Sequence, residues 1–423
     1  MGTTRSRTAY PLVGLAVTVA TIVAVLVWAT TSSPVGAVSS TASWSPLSVS
    51  LLRTGEGWAL ARHDCATGTC IGLWRTTDRA TTWRSISLPS RLRHVVDTTS
   101  PPDASFAPLS VSFVNAHDGW IYGSTQPGAT NTGTYEPPTA ELWSTHDGGV
   151  TWTSMPTRSL GIRFDVLAID ANRGSIYAIG WVSSQRLGLW RSPVSVNAWR
   201  RVATPPLLPA AGGTSMEGAL VFDGASGWLL VGNDRGVTGS ARMTRSGRWV
   251  SWSSPCATIG DDFAVPVAYS PSTLVDVCQV GGYGGSVEPG TPSRVRVGTD
   301  WLVRSRNGGL SFTPTRQVGV EGRTQWLEQV SGLPASPEPG VLFVAGAIER
   351  APTQTVVEHL LASRDGGRTW TSVYTAHSAL MGALQLVSFA SAKLGVAINE
   401  ESPTSSSLVV TDDGGRTWHR VAL

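Results

Sequence analysis

Lysine is almost absent from this sequence. It occurs once, at Lys393, so the other 31 of the 32 basic residues are arginine. Charge of either sign is scarce, at 14% of residues, and the formal net charge is only +3. Arg5 and Arg7 lie at the extreme N-terminus, and without them the balance falls to +1. A near-neutral remainder excludes the basic footprint of a nucleic-acid-binding domain, so no nucleic-acid partner is expected. Cysteine is limited to Cys65, Cys70, Cys256 and Cys278. Their spacing offers neither the close pairs nor the histidine partners of a zinc site, so no metal and no cofactor is expected. Helical periodicity is missing beyond the N-terminus. Glycine (46) and tryptophan (18) are instead plentiful, which suits many short strands and turns.

Long apolar runs are also scarce. The one of membrane length is residues 12–29, LVGLAVTVATIVAVLVWA. Arg5 and Arg7 precede it, and the positive-inside rule then places the remainder of the chain outside the cytoplasm. Residues 1–29 are expected to be a signal anchor, or a signal peptide if the small-residue region around Ala29 or Gly36 is cleaved. No cysteine follows closely, which argues against a lipid anchor. Residues 30–43, rich in Ser, Thr and Ala, read as a flexible tether. The expected location is membrane-anchored, with residues 44–423 outside.

What fills residues 44–423 is a repeat. Residues 363–370 read SRDGGRTW, residues 411–418 TDDGGRTW, and residues 145–152 THDGGVTW. Each residue type has a physical task. Asp147, Asp365 and Asp413 can accept hydrogen bonds from the backbone of their own turn. Gly149, Gly367 and Gly415 suit a position with φ > 0. Trp152, Trp370 and Trp418 then open a strand and bring a large apolar surface to bury. An apolar strand precedes each copy, so the unit is a β-hairpin with the motif in its turn. Degenerate copies complete the series: TTDRATTW at 76–83 with Asp78, WRSPVSVNAW at 190–199, TRSGRWVSW at 244–252, and SRNGGLSF at 305–312. The terminal aromatics, at 83, 152, 199, 252, 312, 370 and 418, recur about every 56 residues. A second hairpin precedes each motif, an apolar strand, a short turn, then Gly and a second apolar strand, as in 109–113 followed by 119–122. Seven units of four strands predict an all-β, seven-bladed propeller over 44–423.

In a propeller the A–B and C–D turns share one face, and the B–C and D–A loops share the other. The motif turns are C–D turns, and the A–B turns are equally short. The long insertions, 89–108, 124–140, 205–218, 280–299 and 348–358, all fall in the other class. One face is therefore minimal and repeated, the other elaborated, and loops on a rigid scaffold carry function. The four cysteines map to the elaborated face, and Cys65–Cys70 and Cys256–Cys278 bridges are expected there. Arg91, Arg93, His94, Tyr135, Tyr283, Arg294 and Arg296 collect on the same face and are the candidate binding residues.

The motif resembles the Asp box, or BNR repeat, of sialidase-like β-propellers, in which the box lies away from the ligand. That resemblance makes the repeated Asp structural, and no catalytic residue is assigned. Sialidases place their first arginine in an Arg-Ile-Pro motif, which this sequence lacks; the matching strand offers only Arg53 before Thr54 and Gly55. Propeller glycosidases need two carboxylates flanking a bond, for which Glu136, Glu217, Asp261, Asp262 and Glu288 are the loop acids. The repeat grammar of residues 113–152 is most similar to the photosystem II assembly factor family, seven-bladed propellers that use an arginine patch for a partner. The resemblance implies a non-catalytic binding or assembly scaffold for a protein or glycan, with a sialidase-like glycoside hydrolase as the alternative.

Overall fold

The computed structural model describes residues 44–423 apart from 66–67, 94–108, 126–138, 209–215, 234–235, 257–264, 281–298, 320–328, 331–334, 351–354, 377–383 and 403–404. The apolar run and tether lie outside the described residues. Among the described residues no helix is long and apolar enough to cross a membrane.

Among the described residues, twenty-eight strands form seven antiparallel sheets of four consecutive strands each. The sheets are the blades of a propeller, spanning 45–86, 110–154, 166–207, 217–251, 267–317, 329–376 and 384–421. Among the described residues each blade is built from four strands consecutive in the chain. The ring closes by packing: Val49, Leu51, Ala59 and Ala80 of blade one meet Val396, Ile398, Leu408 and Val410 of blade seven. The buried Ser406 N–H also donates to Ser45 Oγ at 3.3 Å, and its hydroxyl to the Pro46 carbonyl at 3.1 Å.

In blades two, four and seven the glycine at or next to the start of the second strand has a steric cause. Gly119 pairs with Phe113, Gly227 with Phe222, and Gly395 with Phe389. A Cβ on Gly119 or Gly395 would lie 2.4 Å from the partner ring, so the ring occupies the space a side chain would need. Blade three exchanges the pair for Ala171 and Ile176, moving the bulk from one strand to the other.

These rings build the seams between blades. Phe113 stacks on Trp58 of blade one at 3.6 Å and 5°, and meets its own box tryptophan, Trp152, edge-on at 6.1 Å. Phe389 repeats this with Phe343 of blade six at 3.5 Å and 4°, and with Trp418 at 6.1 Å. At the third–fourth seam the same trio is Tyr177, Phe222 and Trp249. That last trio corrects the sequence reading of blade four. Its turn is one residue shorter, since Arg242 pairs with Val250 where Ser144 pairs with Thr153; its outer strand is Trp249–Ser251, and Trp249 rather than Trp252 fills the box position. The sequence reading takes Trp252 as the terminal aromatic of 244–252, and only the pairing of Met243 with Trp249 shows that the outer strand starts three residues earlier.

Two further details differ from expectation. Strands run to Cys65 and from Gly68, so the first disulfide lies across a tight hairpin rather than in a loop. In blade six, Leu342–Arg350 and Thr355–Ser363 extend into what reads as an insertion at 348–358. The pairing of Val356 and Val357 with Glu349 and Ile348 continues the ladder there.

Candidate functional surface

The box turns consume their own polar groups. Asp147 accepts the Thr151 N–H at 2.9 Å, the Thr151 hydroxyl at 2.5 Å and the Thr145 hydroxyl at 2.8 Å. Thr145 Oγ1 in turn accepts the N–H of Gly149 at 2.9 Å. Asp78, Asp365 and Asp413 make the same set with Thr82, Thr369 and Thr417. At Asp78 the Thr82 hydroxyl is the largest influence, and at Asp413 the Thr417 N–H; both hold the carboxyl down at about 2. For Asp147 desolvation opposes ionisation, but the Thr151 and Thr145 hydrogen bonds outweigh it and the pKa is again about 2. Asp365 is lowered for the same reasons, its desolvation outweighed by Thr369, Ser363 and Arg368. A carboxylate held ionised by its own turn is a poor proton donor, which fits a structural role.

Gly149, Gly367 and Gly415 have φ of 93°, 86° and 87°, the left-handed region their positions require. The box also ties the face together. The first box glycine donates its N–H to the A–B turn of its own blade, as Gly148 to His117 and Gly414 to Lys393. The preceding blade then holds the carbonyls: Trp58 donates to Gly148 at 3.0 Å, Arg364 to Gly414 at 2.6 Å, and Arg304 to Gly366.

The opposite face is entered by the 3₁₀ turn Ser90–Leu92, which follows blade one. Arg91 lies there and pairs with the buried Glu141 of blade two at 3.1 Å. Glu141 is also bonded by the Trp143 indole at 2.8 Å. Arg91 is therefore an anchor of its loop on the next blade. Arg93 caps the same turn, with its Nε donating to the Leu88 carbonyl at 2.9 Å, while its side chain remains exposed. His94, Tyr135, Tyr283, Arg294 and Arg296 lie outside the described residues, as do Glu136, Asp261, Asp262 and Glu288. Glu217 opens the inner strand of blade four and is exposed. Cys65 bonds Cys70, and Cys256 bonds Cys278, with Cα separations of 5.8 and 5.1 Å.

Two acids that the sequence reading did not single out stand in buried strands. Asp170, in the inner strand Val166–Asn172 of blade three, is pushed up to about 7 by burial, against the hydrogen bond it accepts from the Ala171 N–H. Tyr122 of blade two is pushed up to about 12, chiefly by burial, and the charges of Asp170 and Asp165 add to it. Asp276, in Thr273–Val280, is fully buried, and burial raises it well above the usual carboxylate range. The signal was present in each case as an Asp inside an apolar strand, VLAID and LVDVC. What the sequence withheld was the depth of burial.

No protein-family model matches the chain. A xyloglucanase from Paenibacillus sp is 22% identical over 384 residues, 82% of this chain and 35% of the relative, so the chain spans about a third of that relative's length. Among solved structures, YCF48 bound to D1 peptide superposes with a TM-score of 0.51 at 15% identity, over 88% of this chain and 94% of that one. The BP39L lectin from Burkholderia pseudomallei gives 0.51 at 12% identity, over 90% and 100%. At these identities the likeness shows the fold. The chain is a seven-bladed Asp-box β-propeller, and its neighbours include both binding proteins and a glycan-active one.

Proposed function

We infer that the protein is a non-catalytic binding or assembly scaffold, tethered outside the cytoplasm by its N-terminal segment, that docks a protein or glycan on its long-loop face. One observation carries this reading: the two faces differ in how their connections are made. On the box face the turns are short and their polar groups are already satisfied, as in 114–118 and 145–152. On the other face the connections include 126–138 and 281–298. A surface whose donors and acceptors satisfy one another has few left for a partner. The peptide-bound state of YCF48 supports a propeller of this size and repeat serving as a protein-binding platform. Arg93, His94, Tyr135, Tyr283, Arg294 and Arg296 are the proposed anchors, with Arg91 positioning its loop.

Protein and glycan arrays probed with the full chain test the reading. Charge reversal at Arg294 and Arg296 should weaken capture of any ligand found by tenfold or more and leave Tm unchanged, the pattern of a pair that serves binding rather than folding. Asp365→Ala should lower Tm and leave the affinity of the folded fraction intact. The opposite pattern would place binding on the box face.

A second reading, a glycoside hydrolase, has its own support. The xyloglucanase similarity covers most of the chain, and Asp170 is a carboxyl poised to hold a proton near neutral pH, as a general acid must be. Release of reducing sugar from xyloglucan oligosaccharides or sialosides, lost in Asp170→Asn, would favour it.

A further inference from the structure

The Cys256 and Cys278 sulfurs and a carboxylate oxygen of Asp276 lie within 4.8 Å of one another, and all three residues are buried. Cys256 follows blade four, and Asp276 and Cys278 belong to the second strand of blade five, so the group straddles a seam. Asp276 Oδ1 accepts the N–H of Val277 at 2.9 Å, which orients the carboxyl. Its Oδ2 is directed at Cys256 Sγ, 3.5 Å away. In the disulfide that sulfur carries no proton and cannot donate. Burying a carboxyl against a group that cannot donate to it is costly, and an apolar residue of similar size would fill the seam more cheaply. Among the described residues, that sulfur is the polar neighbour of Oδ2.

We propose that Cys256, Cys278 and Asp276 bind one zinc-class divalent cation when the disulfide is reduced. The same seam is then held by a covalent bond in one redox state and by a metal in the other. Zn–S bonds of about 2.3 Å and a Zn–O bond of about 2.0 Å in a tetrahedron give an S···O edge of about 3.5 Å. Cys256 Sγ and Asp276 Oδ2 already stand at that distance, 3.5 Å. The S···S edge of the same tetrahedron is about 3.8 Å, close to the spacing of two sulfurs that are no longer bonded. The Val277 carbonyl oxygen, 3.9 Å from Cys256 Sγ, borders the site as a further oxygen. Two thiolates in the donor set select zinc over calcium or magnesium. Asp276 is held by its backbone hydrogen bond in the way that outer partners fix metal ligands. The redox step balances with a dithiol reductant. It delivers two electrons and two protons to the S–S bond and itself becomes a disulfide. The two thiols so formed lose their protons to solvent as they bind the cation.

Cys65 and Cys70 provide the internal control, since that pair has no buried acid in its cluster among the described residues. The full chain is reduced with a phosphine, desalted and titrated with Zn²⁺ alone, with Co²⁺ as the spectroscopic probe of thiolate ligation. One equivalent should bind to the reduced protein and none to the oxidised protein. Cys65→Ser/Cys70→Ser should retain it, and Asp276→Asn, which keeps both cysteines, should lose tenfold or more in affinity. If reduction melts the chain, Zn²⁺ present during refolding should restore a cooperative melt. Three results would each overturn the proposal: equal binding by Cys256→Ser/Cys278→Ser, unchanged affinity in Asp276→Asn, or a reduced chain that neither binds zinc nor refolds with it.

Discussion

The seam between blades one and two and the seam between blades four and five solve one problem in two ways. At the first, Trp58, Phe113 and Trp152 interlock, and Leu60, Ile71, Leu73, Val111 and Ile121 extend the cluster. At the second, the buried cluster among the described residues is Cys256, Cys278 and Val303 with Phe312 against it. Trp228 reaches Gly309 there, and Trp252 donates to the Gly309 carbonyl at 2.6 Å, so the latch on the box face persists. The inner strand of blade five lacks the phenylalanine. It ends Val267–Ser270 where blades two, four and seven carry Phe113, Phe222 and Phe389. A covalent bond, Cys256–Cys278, holds this seam instead, four residues further along the second strand from Leu274. A repeat fold is a sum of neighbouring interfaces, so one weak seam can be repaired locally without altering the other six.

Breaking each seam in its own way tests this contrast. Phe113→Ala removes the centre of an aromatic stack that is 5% exposed and should cost about 4 kcal/mol, read as a lowered denaturation midpoint. Reductant should not add to that loss at this seam. At the other seam, Cys256→Ser/Cys278→Ser opens a loop of 22 residues and should cost about 3 kcal/mol, and reduction in the absence of metal should reproduce it. Equal sensitivity of both seams to reductant would erase the distinction. Gly367→Val should cost about 2–3 kcal/mol, because φ is 86° and a Cβ would lie 2.1 Å from Leu302 of blade five. Its loss should fall on the fifth–sixth seam, and a melt like the wild type's would show that the turn adapts.

The number of blades was legible because the box repeats an arrangement of types, Ser/Thr, Asp, Gly and Trp, whose tasks are local. The turn that Asp147 organises closes on itself within residues 145–152. Both disulfide pairings followed from topology, since strand order alone puts Cys256 next to Cys278. The seams were harder to read. That Phe113 needs Gly119 opposite it, or that Ala171 with Ile176 is the same pair reversed, depends on contacts across strands. Arg91 shows the same limit. On the page it is one arginine in a loop, and only the fold brings Glu141 of the next blade to it. Asp276 is illegible in the sequence because its partners are two cysteines, one of them 20 residues away and beyond the end of the preceding blade.

Acid should separate the box face from the rest. Asp78, Asp147 and Asp413 titrate near 2 when folded, below the ordinary value of 3.8. Their contribution is therefore complete above about pH 4 and disappears as pH falls toward 2, because the unfolded chain takes up protons first. Blade five carries Asn307 at this position, bonded through its amide to Ser311 at 2.8 Å. That turn has no carboxylate to titrate. Hydrogen exchange on lowering the pH toward 2 should open the turns of blades one, two and seven before the turn of blade five. Uniform opening would remove the carboxylates as the cause.

The smallest effect comes from the one box that keeps the left-handed backbone without its glycines. In blade one the two glycines are replaced by Arg79 and Ala80, and both are forced into the left-handed region, at φ of 62° and 65°. Each pays for that conformation. An L-residue there costs roughly 1–2 kcal/mol relative to glycine, and glycine returns part of this through the extra freedom of the unfolded chain. At Ala80 the exchange is close to neutral, because its methyl is buried in the seam with blade seven and would be lost. At Arg79 the side chain is exposed and has no comparable burial to lose. Its N–H donates to the Gly55 carbonyl at 3.0 Å, a bond glycine keeps. Arg79→Gly should therefore stabilise the protein by about 0.5–1 kcal/mol, while Ala80→Gly should change it little. The difference between the two melts isolates the backbone term from the seam term. A gain at Ala80 as large as that at Arg79 would mean that the closing seam, between blades seven and one, does not depend on that methyl.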